Sequence, residues 1–337
     1  MLDFELGRES LTHRSPSDFV RNLKIENSRL ARAPLLNSTF NIQHSTFAAP
    51  PRIHLVTYGT TRFRHRQWLL GASARLHRVV DTVTHWNPAR LQRSSFDRIF
   101  PSIGLHERGS GFWSWKPFII GQKLIETPDG DLVFYCDVGR RFPYKILDRP
   151  LIPFLNWMDL NQQEFMPGLQ VTWRGPLSTW TKRDAFVFTN MDQPNAWAAP
   201  TVQASFSLWR NGPESRAFVS KWLEWCSDRR LISDDPSLCG EPELPDFHEH
   251  RHDQALLSLL CLRNHLQGFD AGSASPPLDT RDPSAVMGHY FETPRLRPPL
   301  LWKIIRPCVS IAENTEEFLR HIFRINPALA SHPLAMD

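Results

Sequence analysis

The sequence predicts an α/β fold with a mostly parallel central sheet flanked by helices. Three observations carry this expectation. Two short runs of β-branched and aromatic residues, RIHLVTYG from Arg52 and LVFYC over Leu132–Cys136, are apolar on both faces, as strands covered by helices on two sides must be. Segments with helix-spaced apolar residues separate the strand-like runs. Turn signals, Gly59 after the first run and Pro128-Asp129-Gly130 before the second, stand where a strand meets a loop.

Taken in order, residues 1–50 are polar and aperiodic, repeat STF at Ser38 and Ser45, and close on AAPPR. They read as a disordered leader or an upstream extension, which leaves one folded domain over 51–330. After the first strand, Arg66–Arg78 carries Trp68, Leu69, Leu70, Ala72 and Leu76 at helical spacing, and Val79–Val83 reads as a second strand. Pro88–Phe100 mixes loop with a short amphipathic helix. Pro117 fits the first turn of a helix running to Glu126, where its missing N–H is no loss, with Phe118, Ile119 and Leu124 turned to the core. The Trp- and Pro-rich region 150–200 suggests a helix start within Trp180–Asp184 and a strand at Phe186–Phe188. GPESRAFVSKWLEWCSD is a helix with a Phe218, Val219, Trp222, Leu223, Cys226 stripe. An acidic, proline-bearing loop over Leu231–Phe247 leads to the helix HDQALLSLLCLRNHL. A last helix is expected in ENTEEFLRHIFRI, opened by Asn314 with Glu316 and Glu317 in its first turn.

Composition narrows the function. A net charge of +4 over 337 residues suits an anionic ligand such as a nucleotide diphosphate, and with no long Lys/Arg block it does not call for nucleic acid. Five cysteines without any CxxC argue against a disulfide framework and a structural zinc site, and point to a reducing, cytoplasmic setting. No run approaches the roughly 18 apolar residues of a membrane span, so membrane contact is at most peripheral, at the inner face, through basic and Trp residues. The 12 tryptophans fit either a Trp-rich core or stacking on sugars and bases.

Why does an apolar strand end on Asp137, with Gly139 two residues later? In open α/β sheets ligands bind beyond the carboxyl ends of the strands, and a carboxylate there escapes the burial penalty it would meet in the core. Gly139 allows a sharp turn or a close approach to a ligand. The plainer alternative is a turn or cap Asp. One helix earlier, GSGFWSWKP places Gly109, Gly111, Trp113 and Lys116 before a helix N-terminus, a combination suited to an anion, or simply a glycine turn with two core tryptophans. HRHDQ opens another helix with Asp253 and Gln254, whose carboxylate the macrodipole favours. His250 and His252 read either as phosphate contacts when protonated or as part of a solvated loop.

IHLVTYG, GFWSWKP, YCDVG and HRHDQALLSLL, in this order over roughly Arg52–Asp270, resemble a bacterial and viral-type family of GT-A-fold glycosyltransferases. The resemblance implies a GT-A-like, Rossmann-related domain that binds a nucleotide-diphospho-sugar donor. It assigns Thr57, Tyr58 and Gly59 to the nucleotide, with Trp113, Lys116, Gly139 and His252 also donor-binding and Lys116 beside the diphosphate or donor sugar. It assigns Asp137, Asp253 and Gln254 to catalysis, Asp253 as general base or donor-orienting group. Asp137 matches the first Asp of the family's DxD-type element, which implies a divalent cation, Mn²⁺ or Mg²⁺, with His289 as a further metal ligand. Here the second Asp is Gly139, which leaves one carboxylate for an ion that prefers several oxygens.

The expected activity is therefore hexosyl transfer from a nucleotide sugar to a hydroxyl of a glycan or glycoconjugate, in polysaccharide biosynthesis. Two other readings stand beside it. A non-catalytic nucleotide-sugar or glycan-binding protein of the same fold would bind without turnover. A glycoside hydrolase would use Asp137 and Asp253 as its paired carboxylates, with no nucleotide.

Overall fold

The computed structural model describes residues 50–139, 146–172 and 175–270, with the isolated positions 296, 297, 300 and 303. The expected leader over 1–50 falls outside these residues but for its last, and the expected helix in ENTEEFLRHIFRI and His289 fall wholly outside them. Among the described residues no helix is long and apolar enough to cross a membrane.

The architecture is α/β. The principal sheet has the order β2-β1-β3-β7-β4, formed by β1 (Ile53–Tyr58), β2 (Thr82–Trp86), β3 (Leu132–Cys136), β4 (Phe165–Met166) and β7 (Phe206–Arg210). β1 runs parallel to both β2 and β3, whereas β7 is antiparallel to β3 and to β4. A smaller sheet, β6-β5-β8, joins β5 (Leu169–Val171), β6 (Thr201–Gln203) and β8 (Phe269–Asp270).

All five residues of β3 are buried because both faces of the sheet are covered. Val133 and Tyr135 face one core with Val56, Tyr58 and Trp209, roofed by helices α2 (Trp115–Glu126), α4 (Pro213–Ser227) and α5 (His252–Arg263). Leu132, Phe134 and Cys136 face the other with Leu55, Phe206 and Leu208, covered by α1 (Arg64–Leu76) and α3 (Ile152–Leu160). Aromatic rings dominate both layers: Phe134 meets Phe206 edge to face at 4.6 Å, and Trp209 stacks on Trp222 at 6.4 Å. Each such side chain withdrawn from water contributes about 1.5–3 kcal/mol.

Some boundaries differ from those expected. The second strand starts at Thr82, not Val79, because α1 stops in a tight turn. Arg78 takes a left-handed φ of 55°, Val79 N–H folds back to the Ala74 carbonyl, and pairing with β1 begins only when Asp81 N–H reaches the Ile53 carbonyl. The strand expected at Phe186–Phe188 is instead the end of a helix, Arg183–Phe188. Its apolar run is too short to fix a period, and the fully buried Asp184 anchors the turn by accepting hydrogen bonds from the Leu238 and Cys239 amides.

At the opposite end of the sheet from the strand carboxyl termini, Asp131 ties β1 to β3. It accepts hydrogen bonds from Arg52 N–H and from His54 Nε2, both at 3.0 Å, while His54 Nδ1 faces the Thr82 hydroxyl at 2.8 Å. Burial pushes the Asp131 carboxyl up, but the His54 and Arg52 hydrogen bonds outweigh it and hold the group below its ordinary range. A carboxyl lowered in this way stabilises the fold at neutral pH and loses that contribution as pH falls through its folded value. Asp131→Asn should lower stability by about 2 kcal/mol at pH 7 and by progressively less under acid. Urea midpoints of the two proteins at pH 7 and pH 3 check this, and an equal deficit at both pH values would contradict it.

Candidate active site

β3 delivers Asp137 one residue beyond its last paired position, and Asp137 N–H still bonds the Ser205 carbonyl at 2.8 Å. The carboxylate therefore stands at the carboxyl end of the parallel strands. Tyr135, two residues back and so on the same side of the strand, donates its hydroxyl to Asp137 Oδ1. Burial, with Asp137 adding to it, drives the Tyr135 phenol well above its ordinary range, so it stays protonated as a donor.

Lys116 enters from α2. Its Nζ lies 2.8 Å from Asp253 Oδ2 and 3.7 Å from Asp137 Oδ1, with only 4% of the side chain exposed. The rings of Tyr135 and Trp115 lie 5.4 and 5.9 Å from the ammonium. Burial favours the neutral amine, but Asp137 and Asp253 together outweigh it, and the pKa is raised. Asp253, in the first turn of α5, is 5% exposed. Burial pushes its carboxyl up to about 6, Asp137 adds to the rise, and Lys116 opposes it. Trp222 of α4 fixes the same turn by donating Nε1–H to the Asp253 carbonyl at 3.0 Å.

The chain reaches Lys116 through an unusual turn. Gly109, Ser110, Gly111, Phe112 and Trp113 all have left-handed φ values, 63°, 58°, 90°, 55° and 58°. Each non-glycine residue held there costs about 1–2 kcal/mol. Trp115 Nε1–H to the Gly109 carbonyl at 2.9 Å, Ser114 Oγ to the Gly111 carbonyl at 2.6 Å, and the stacking of Phe112 on His252 at 5.4 Å hold it. Glycine is required at 109, where a Cβ would lie 2.4 Å from the Trp113 ring.

This turn corrects the expectation of a backbone anion cradle. The amides of Ser110 and Gly111 bond the Glu107 carbonyl, and those of Ser114 and Lys116 bond the Gly111 and Trp113 carbonyls. The phosphate reading of the histidines is corrected too. His250 is buried with Nδ1 accepting from Lys182 N–H and Nε2 against the Leu231 carbonyl, and burial holds it well below its ordinary pKa. His252 is buried between Phe112, Trp113 and His250, with Nε2 2.9 Å from Asp234 Oδ1, and burial lowers it as well. Neither is a free imidazolium at neutral pH.

Of the other residues singled out in the sequence, Tyr58 stacks on Trp115 at 4.0 Å and so joins the end of β1 to the Lys116 segment. Thr57 is fully buried, its hydroxyl and carbonyl both accepting from Gln67 Nε2, so it shapes the strand end without facing a ligand. Gly59 closes the strand with its amide on the Trp86 carbonyl. Trp113, Gly139 and Gln254 are half-buried, Gln254 beside Asp253 in the same turn. The Lys116 ammonium is engaged by the two carboxylates. Sequence reasoning missed Tyr135, although its place two residues before Asp137 on a strand was the available signal. It also missed the rim ion pairs of Arg108 with Asp234 at 3.7 Å and Glu249 at 3.3 Å, which no local pattern announces.

The described residues do not fit the divalent cation that the family resemblance implies. An ammonium already stands between Asp137 and Asp253, Asp137 Oδ1 is further engaged by Tyr135, and no group of three His, Cys, Asp or Glu side chains is arranged for a metal among the described residues. A neighbouring cavity of about 470 Å³ is walled by Asp234, Asp235, Glu241, Glu243 and Glu249 against Lys182, a poor host for a phosphate.

No protein-family model and no curated protein matches this chain. Among solved structures, the apo structure of WbbM, a bifunctional glycosyltransferase, is similar at a TM-score of 0.38 and 10% identity, over 77% of this chain and 46% of that one. The chain thus matches less than half the length of that protein.

The charge cluster predicts two stability effects. Lys116→Met leaves two carboxylates without their cation and should cost about 3–5 kcal/mol at pH 7. Asp253 titrates in the folded chain at about 6 against an ordinary 3.8, so its contribution is largest below the unfolded value and is lost as pH rises through about 6. Chemical denaturation of wild type and Asp253→Asn across this range should show the wild type losing ground to the variant up to about pH 6, then a constant gap. A gap that does not change with pH would contradict the assignment.

Proposed function

We propose that this chain is a glycosyltransferase that moves a hexosyl group from a nucleotide-diphosphate donor to a hydroxyl of a glycan or glycoconjugate. One observation carries the reading. GFWSWKP, YCDVG and HRHDQ, the three segments that resemble GT-A transferases and lie far apart in sequence, converge on the single ion cluster Lys116–Asp137–Asp253. That cluster lies beyond the carboxyl ends of parallel strands, where α/β folds bind ligands.

The chemistry follows from the two carboxyl environments. Asp137 is one-third exposed and is the carboxylate that a donor meets; it orients sugar hydroxyls by accepting their hydrogen bonds. Asp253 lies deeper and, with a pKa near 6, takes up the acceptor's hydroxyl proton at physiological pH. Lys116 sets a positive charge against both carboxylates and opposes the rise that burial imposes on Asp253. The hydrolase alternative is less well supported, because the ammonium fills the space between the carboxylates where a glycosidic bond would lie.

The test is release of nucleotide diphosphate from a panel of nucleotide sugars, with simple glycosides as acceptors, with and without EDTA. At least one donor should turn over, and activity should rise with pH through about 6 and then level. Asp253→Asn should lose about 10²- to 10⁴-fold in rate together with this pH limb, and Asp137→Asn should lose transfer while keeping its melting temperature. A donor that raises the melting temperature yet is never consumed would replace this reading with a binding protein. Full activity in either variant would remove these carboxylates from the mechanism.

A further inference from the structure

We infer that the outer face of α1 is a docking surface for an anionic lipid membrane. This inference rests on α1 alone and is independent of the transfer reaction. Arg64, Trp68 and Arg75 are all exposed, and at 100° per residue they fall within an arc of about 40°, a stripe about 16 Å long. Arg62 before the helix and Arg78 after it are exposed as well and extend the stripe at both ends. From Thr60 to Val80 there is no acidic residue to offset this charge.

Burial alone does not explain these residues. α1 turns Leu70 and Ala74 to the core, so the arginine face has no packing role. Trp68 is 55% exposed, among the largest apolar side chains left in water on the described surface, and it lies between the arginines. Other exposed cations of the chain are drawn into ion pairs, Arg108, Arg229 and Arg230 among them. The arginines of this stripe have none among the described residues, and Arg62 only leans on the Phe63 ring at 5.9 Å.

A row of cations around one amphipathic ring fits a lipid interface. Arginine meets anionic headgroups, and the indole settles at the boundary between headgroups and acyl chains. Single-stranded nucleic acid is the less suitable partner. It is bound in grooves with several stacking rings, whereas this face is one convex helix with a single Trp. Because α1 follows directly on the end of β1, Arg62 and Arg64 lie at the same end of the sheet as Asp137.

The experiment is co-sedimentation of the full chain with phosphatidylcholine vesicles, with and without phosphatidylglycerol, at low and raised salt. The wild type should pellet with the anionic vesicles at low salt and be released by added salt. Arg64→Gln with Arg75→Gln should weaken partitioning about thirtyfold, at about fivefold per arginine, and Trp68→Ala should weaken it even where the charge is intact. Unchanged melting temperatures would show that these surface variants fold. Absence of pelleting with anionic vesicles, equal pelleting of the double variant, or tighter binding to a single-stranded oligonucleotide than to vesicles would each overturn the inference.

Discussion

A buried ammonium needs negative charge close by, and Lys116 finds it on two elements that have no other reason to meet. Asp137 comes from the end of a strand and Asp253 from the start of a helix more than a hundred residues later. Any one of these charges alone in so poorly solvated a place would carry a penalty of several kcal/mol. Together they are tolerated, but only if α2, β3 and α5 hold their ends in register. The surrounding packing serves that condition. Trp222 pins the first turn of α5, Tyr135 pins Asp137, and the Tyr58–Trp115 stack fixes the start of α2 against β1.

The cation also decides which chemistry the cluster supports. An ammonium is monovalent, donates hydrogen bonds and is tethered, so it meets the charge of its partners without offering open coordination positions. Asp253 lies deep and is driven up by burial, whereas Asp137 sits at the mouth with a third of its side chain exposed. Two carboxyl groups in unlike surroundings can take separate roles, one exchanging a proton and one binding. Gly139, two residues on, adds no further carboxylate, so the positive charge facing Asp137 and Asp253 is the one supplied by Lys116.

Much of this was legible in the sequence, and the remainder was hidden for definable reasons. β1 and β3 announce themselves as short apolar runs bounded by turns, α2, α4 and α5 by helical patterning, and Lys116, Asp137 and Asp253 stand at element ends where chemistry is expected. Strand direction is different. FSLWR in β7 is largely buried, so its pattern is the same whether it runs with β3 or against it, and its antiparallel pairing depends on partners dozens of residues away. The small second sheet escaped notice because its strands are two or three residues long. The Gly111 amide looked free because local sequence does not show that the chain would coil left-handed and turn it, with that of Ser110, onto the Glu107 carbonyl. The resemblance assigns Thr57 to the nucleotide, and nothing in the segment itself shows that Gln67, ten residues on, engages its hydroxyl.

The left-handed turn joins the two halves of the cluster more firmly than the ion pair alone. Its far end carries Lys116, three residues after Trp113. Its middle presents Phe112 and Trp113 to His252, the residue before Asp253 and itself at a φ of 48°. The segment that delivers the cation thus also packs against the residue that delivers its anion. Strain of a few kcal/mol in Ser110, Phe112 and Trp113 persists only because stacking and hydrogen bonds over-determine the conformation, and such strain is found where geometry matters for function. Take the Phe112 and Trp113 rings, at 5.4 and 5.3 Å, away from His252 and this second link is lost. Lys116 and Asp253 would then be tied only through their charges, whose mutual attraction is sensitive to any water that enters.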